Sequence, residues 1–108
     1  MSGRITTHVL DTARGRPAAG VAIALARGGV VVARAHTDLG GRTEAPLLEG
    51  ADLVAGVYEI TFAVGAYFGG EGGFLDEVPV RFTVTDPSAH MHVPLLVSPW
   101  SYTTYRGS

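Results

Sequence analysis

Gly56-Val57-Tyr58-Glu59-Ile60-Thr61-Phe62-Ala63-Val64 decides the fold class. Tyr58, Ile60, Phe62 and Val64 fall on one side of an extended chain and Val57, Glu59, Thr61 and Ala63 on the other. That period of two belongs to a strand with one face in a core. Residues 80–85 repeat it, with Val80, Phe82 and Val84 opposite Arg81, Thr83 and Thr85. Working outward, residues 5–10, 21–26, 30–37, 91–97 and 101–106 are further short runs rich in Val, Ile, Leu, Thr and Tyr. Between them lie turn signals: Arg27-Gly28-Gly29, Asp38-Leu39-Gly40-Gly41, Asp86-Pro87-Ser88 and Ser98-Pro99. Seven or eight short strands at this spacing predict an all-β sandwich of two sheets. Residues 45–55, interrupted by Pro46 and Gly50, are expected to hold little regular structure. At most one short helix is expected, within residues 66–75, where Gly69-Gly70-Glu71-Gly72-Gly73 works against it at about 1 kcal/mol per glycine.

At 108 residues the chain is one domain, 1–108, with no internal repeat. It is 46% hydrophobic and 17% charged, too apolar for disorder, and the scarcity of charge hints at surface buried against copies of itself. Eight arginines against ten carboxylates leave a formal charge of −2, which argues against a nucleic-acid partner. There is no Lys, Cys, Asn or Gln. Thiolate nucleophiles, disulfides, cysteine metal sites, Schiff bases and the phosphate-loop lysine are therefore excluded. No run approaches the 18 apolar residues of a membrane span and no signal peptide is evident, so a cytoplasmic location is expected.

Catalysis, if any, must come from four histidines, the carboxylates, the arginines and the hydroxyls. His90-Met91-His92 places two imidazoles about 7 Å apart on one strand face, a spacing that could chelate a metal with His8 or His36 as third ligand. Two histidines so spaced also arise by chance. The other reading makes one of them a general base, His being the side chain that titrates near neutrality. His90 is expected in the solvated turn, and His92 in the strand beside Pro94, which marks an edge or an opening. His8 lies among β-formers, where a structural role is the plainer reading. Arg42 follows a Gly-Gly turn and is either a solvated arginine or an anion clamp. The cluster at Gly69 to Gly73 completes no phosphate-binding motif and reads as a flexible loop. Tyr58, Phe62, Phe82 and Trp100 read as core or interface aromatics. The C-terminal segment stays strand-like nearly to Ser108, where chain ends are usually polar and frayed.

Thr7-His8-Val9-Leu10-Asp11 with Gly15-Arg16-Pro17-Ala18, then Gly41-Arg42, then His92-Val93-Pro94-Leu95-Leu96 with Ser98-Pro99, and finally Tyr105-Arg106-Gly107-Ser108 resemble, in that order, the transthyretin-related 5-hydroxyisourate hydrolase family. The resemblance covers essentially the whole chain. It implies a transthyretin-like sandwich assembled as a homotetramer, a dimer of dimers with active sites in the channel between dimers. It implies hydrolysis of 5-hydroxyisourate to 2-oxo-4-hydroxy-4-carboxy-5-ureidoimidazoline in urate degradation, without metal or other cofactor. His8, Arg42, His92 and Ser108 match the family's catalytic positions, and Tyr105, Arg106 and Gly107 its substrate-binding ones. Met91 stands where an aromatic is common in the family and Trp100 where a Tyr is usual, both outside that set. Opening a cyclic amide needs an activated water, a donor for the developing oxyanion and a proton for the leaving nitrogen. Two histidines and an arginine can supply these, with base and acid unassigned between the histidines. The alternative is a transthyretin-like non-enzymatic binder of small ligands, which would have no need of that set in its channel.

Overall fold

The computed structural model describes residues 3–108; Met1 and Ser2, at the start of the expected single domain, lie outside the described residues. Among the described residues nine strands form two sheets: β1 (Arg4–Asp11), β2 (Arg16–Pro17), β3 (Ala22–Arg27), β4 (Val30–His36), β5 (Leu48–Glu49), β6 (Gly56–Phe62), β7 (Val78–Val84), β8 (His90–Val97) and β9 (Tyr102–Thr104). The first sheet runs β2-β1-β8-β9 with β5 also on β1, and the second runs β4-β3-β6-β7. All neighbours are antiparallel except β1 and β8, which run parallel. The all-β sandwich is as the alternation predicts.

The core lies between the sheets. Tyr58, Ile60 and Phe62 of β6 and Val78, Val80 and Val84 of β7 meet Ile5 and Val9 of β1 and Val93, Leu95 and Val97 of β8. Each such side chain, fully buried, contributes about 1.5–3 kcal/mol. Phe82 packs against this core, whereas Trp100 is 60% exposed and is not a core residue. Three polar residues, Thr7, Asp11 and Thr37, are buried too; Asp11, at the end of β1, accepts hydrogen bonds from Tyr67 Oη (2.7 Å), Arg14 Nη1 (3.1 Å) and the backbone N–H groups of Ala13 and Arg14. Burial opposes its charge, but these donors outweigh burial and hold the carboxyl below the usual aspartate range.

Several boundaries differ from the sequence reading. The one α-helix among the described residues, α1 (Val64–Tyr67), precedes the glycine cluster, because Val64 buries itself there while the glycines only make turns. A 3-10 turn at Gly50–Asp52 and the two-residue β5 are the only regular structure in 45–55. Residues 42–47, just after the Gly-Gly turn, form no strand. β8 begins at His90 rather than after it, since parallel pairing with β1 starts at Arg4 opposite His90. Nor is β8 an edge strand, although β9 covers only Leu95 to Val97, so its first half borders an opening despite its place inside the sheet. The C-terminal strand is confined to Tyr102–Thr104.

Candidate active site

The alternation of β1 sends Ile5, Thr7 and Val9 into the core and leaves Thr6 and His8 on the outer face of the first sheet. Parallel register then sets His92 beside Thr6 and Pro94 beside His8. The Thr6 hydroxyl lies between two imidazoles, 2.8 Å from His92 Nδ1 and 2.6 Å from His90 Nε2, with the ring centroids 6.0 Å apart. Burial, then the positive charge of Arg42, then His90 and His8, push the His92 imidazole below its ordinary value near 6.5. His90 is lowered too, by burial and then by Arg4. His92 is therefore neutral at physiological pH and fit to accept a proton.

Arg42 is delivered by a turn that the Asp38-Leu39-Gly40-Gly41 sequence dictates. Asp38 Oδ1 accepts the N–H groups of Gly40 (2.9 Å) and Arg42 (3.1 Å), and the Asp38 N–H donates to the Arg42 carbonyl (2.7 Å). Gly41 has φ +76°, and a Cβ there would overlap the Val9 carbonyl oxygen, which accepts no side chain so close to the strand. Its own carbonyl accepts the Val9 N–H at 2.8 Å, so the turn is stitched to β1. His8 Nε2 donates to the Gly40 carbonyl at 2.9 Å. This imidazole braces the turn that carries Arg42.

The tail closes the third side. The Gly107 N–H donates to the His92 carbonyl at 2.8 Å, an isolated antiparallel bridge beyond the end of β9. A Cβ on Gly107 would sit 2.5 Å from His92 Cδ2, so only glycine lets the tail approach the ring. Thr6 holds Nδ1 and Gly107 covers Cδ2, which leaves His92 Nε2 for a ligand.

Arg4, Thr6, Arg42, His90, His92 and Ser108 line a cleft of about 320 Å³, the size of a small-molecule site. Glu44 contributes a carboxylate at its rim. Of the residues singled out in the sequence, the fold thus gathers Arg42, His92 and Ser108 at one cleft, with Gly107 behind them. His8 stands one step away, against the Arg42 turn. Tyr105 and Arg106 are exposed and outside its lining. His36, the other third ligand weighed for a metal, is on β4 in the opposite sheet. Among the described residues no three of His, Cys, Asp and Glu gather to hold a metal ion. A larger cavity of about 480 Å³ lies over the second sheet, lined by Arg27, Tyr58, Glu59 and Arg81 among others. It holds no imidazole, and Arg81 and Glu59 occupy each other there at 3.5 Å. Sequence reasoning missed Thr6, although its place on the face of His8 was readable from the period of two.

Residues 5–107 match the family model described as the HIUase/Transthyretin family. The chain belongs to the HIUase/Transthyretin family. Among family members, a 5-hydroxyisourate hydrolase of Deinococcus radiodurans is 54% identical, with 100% of each chain covered. A solved structure of Klebsiella pneumoniae 5-hydroxyisourate hydrolase is 35% identical with a TM-score of 0.86, covering 98% of this chain and 99% of that one. Sea bream transthyretin, solved in complex with thyroxine, shares the fold at 31% identity and a TM-score of 0.87, covering 96% of this chain and 94% of that one. Both branches of the HIUase/Transthyretin family therefore lie within reach of this chain, and the chemistry of the cleft distinguishes them.

Proposed function

We propose that the chain is a 5-hydroxyisourate hydrolase of urate degradation, opening the cyclic amide of its substrate by attack of water. The observation that carries this reading is the convergence of Arg42, His92 and Ser108, from three separate parts of the sequence, on one small cleft. Full-length identity of 54% to a protein of that activity supports it. An oxidised purine is flat, rich in carbonyl oxygens and acidic, so the planar fork of Arg42 suits it in a bidentate contact. Arg42 also places positive charge where the carbonyl oxygen becomes an oxyanion. Water loses its proton to His92 Nε2 as its oxygen bonds to the carbonyl carbon, and the carbon–nitrogen bond then breaks as the leaving nitrogen takes that proton from His92. Ser108 orients water or substrate through its hydroxyl, and His8 holds the Arg42 turn in register. A ligand-binding role alone, as in the thyroxine complex of the sea bream relative, would leave these polar groups without a task.

Tyr105 and Arg106 fit this scheme only if a second copy of the chain brings them to a cleft, and a homotetramer is the assembly we propose. Val57, Trp100, Tyr102 and Tyr105 are large apolar side chains left exposed on a single chain, and closed symmetry would cover such surface. Sedimentation equilibrium at micromolar concentration is expected to give about four times the 11.3 kDa chain mass; a stable monomer would contradict the assembly. The activity itself is tested by the decay of enzymatically generated 5-hydroxyisourate with and without the protein.

A further inference from the structure

Thr6 is the one residue of the cleft that touches both histidines, and its hydroxyl carries a single proton. It can donate to only one of the two imidazole nitrogens beside it and must accept from the other. Two arrangements satisfy both bonds. In one, His90 Nε2–H donates to Thr6, Thr6 donates to His92 Nδ1, and neutral His92 carries its proton on Nε2. In the other, His92 Nδ1–H donates to Thr6, Thr6 donates to His90 Nε2, and His92 Nε2 presents a lone pair. The chemistry of the cleft favours the second. Both contacts are hydrogen bonds, 2.6 Å to His90 and 2.8 Å to His92, and only in this arrangement does His92 offer the cleft a lone pair that can take a proton from water.

We infer that Thr6 is a positioning residue that fixes His92 in the Nδ1–H tautomer, with Nε2 turned as a base into the cleft and His90 anchoring the Thr6 hydroxyl from the other side. The inference rests on the hydrolase reading, in which His92 is the base. Thr6 is half-buried on β1, a strand tied to β8 along its whole length from Arg4 to Asp11. The hydroxyl is therefore held by backbone register. With valine in its place the shape is kept but Nδ1 loses its acceptor, and the imidazole is free to adopt either tautomer or to turn about its Cβ–Cγ bond.

Two measurements on Thr6→Val and Thr6→Ser test this. Long-range ¹⁵N–¹H correlation at pH 7.5 should show His92 of the unaltered protein as the Nδ1–H form, Thr6→Val as a mixture, and Thr6→Ser as Nδ1–H again. In hydrolysis, Thr6→Val should lose kcat by about 10- to 100-fold, the usual cost of removing the partner that orients a working histidine, with KM within about twofold; Thr6→Ser should recover most of it. An Nε2–H tautomer in the unaltered protein, or Thr6→Val with unchanged tautomer and kcat, would overturn the inference. Failure of the unaltered protein to hydrolyse 5-hydroxyisourate would instead remove the hydrolase reading, leaving the tautomer to be decided by the spectra.

Discussion

Gly107→Ala is the sharpest perturbation of the site, since it adds one methyl group and removes nothing. The added Cβ would sit 2.5 Å from His92 Cδ2 and 3.2 Å from Cγ, whereas carbon atoms rest at about 3.5–4.0 Å. Either the tail or the imidazole must give way by about 1 Å. If the ring moves, its 2.8 Å bond to Thr6 is stretched; if the tail moves, the 2.8 Å bridge to the His92 carbonyl breaks and Ser108 leaves the cleft. A displacement of that size at a reacting group costs about 100-fold in rate. The cost to the fold should be small beside that. Gly107 is half-buried on the tail and its φ is not positive, so alanine brings no backbone strain, and the loss is that of one hydrogen bond, about 0.5–1.5 kcal/mol. Steady-state hydrolysis paired with thermal melting reads both quantities. The variant should stay folded, with a melting temperature lowered by about 10 °C or less, and lose roughly two orders of magnitude in kcat/KM. Activity within twofold of the unaltered protein would refute the packing of the tail against His92 as a feature of the working site.

The same geometry fixes the outcome of other perturbations. His92→Ala should lower kcat by about 10²- to 10⁴-fold, the range for a lost proton-transfer group, while His8→Ala should raise KM more than it lowers kcat, because His8 reaches the site through the Gly40 carbonyl; circular dichroism should show both variants folded, and the opposite kinetic split would exchange their roles. Because burial, Arg42, His90 and His8 lower the His92 pKa, the acid limb of kcat/KM should have its midpoint below about 6.5, and His92→Ala should abolish that limb. The same shift makes the unfolded chain take up the proton first as pH falls, so the stability owed to neutral His92 is complete above about 6.5 and is lost as pH drops through its lowered folded value. A melting temperature that rises on acidification across that window would contradict it.

The sandwich was legible because each strand carries its own evidence: Tyr58, Ile60 and Phe62 alternate with polar neighbours whatever the rest of the chain does. The helix was misplaced because its decisive feature, burial of Val64, is tertiary, whereas the glycines at 69–73 are conspicuous locally. The site divides in the same way. Arg42 could be found from its Gly-Gly turn and His92 from its strand, yet nothing local says that β8 lies parallel to β1 in the register that brings His92 beside Thr6, 86 residues earlier. Pro94 marks an edge or an opening, and the structure shows the second: β8 lies inside its sheet with only half its length covered by β9. His90 read as a turn residue for the same reason, since its strand is defined by pairing with Arg4 rather than by its own neighbours.

The central claim is that the cleft where Arg42, His92 and Ser108 converge opens 5-hydroxyisourate by water attack. It is tested most directly by generating 5-hydroxyisourate in the cuvette with urate oxidase and following its ultraviolet absorbance after adding the purified protein. The account predicts that decay accelerates in proportion to protein concentration and that His92→Ala removes the acceleration. Decay at the spontaneous rate, with protein shown folded by circular dichroism, would contradict it.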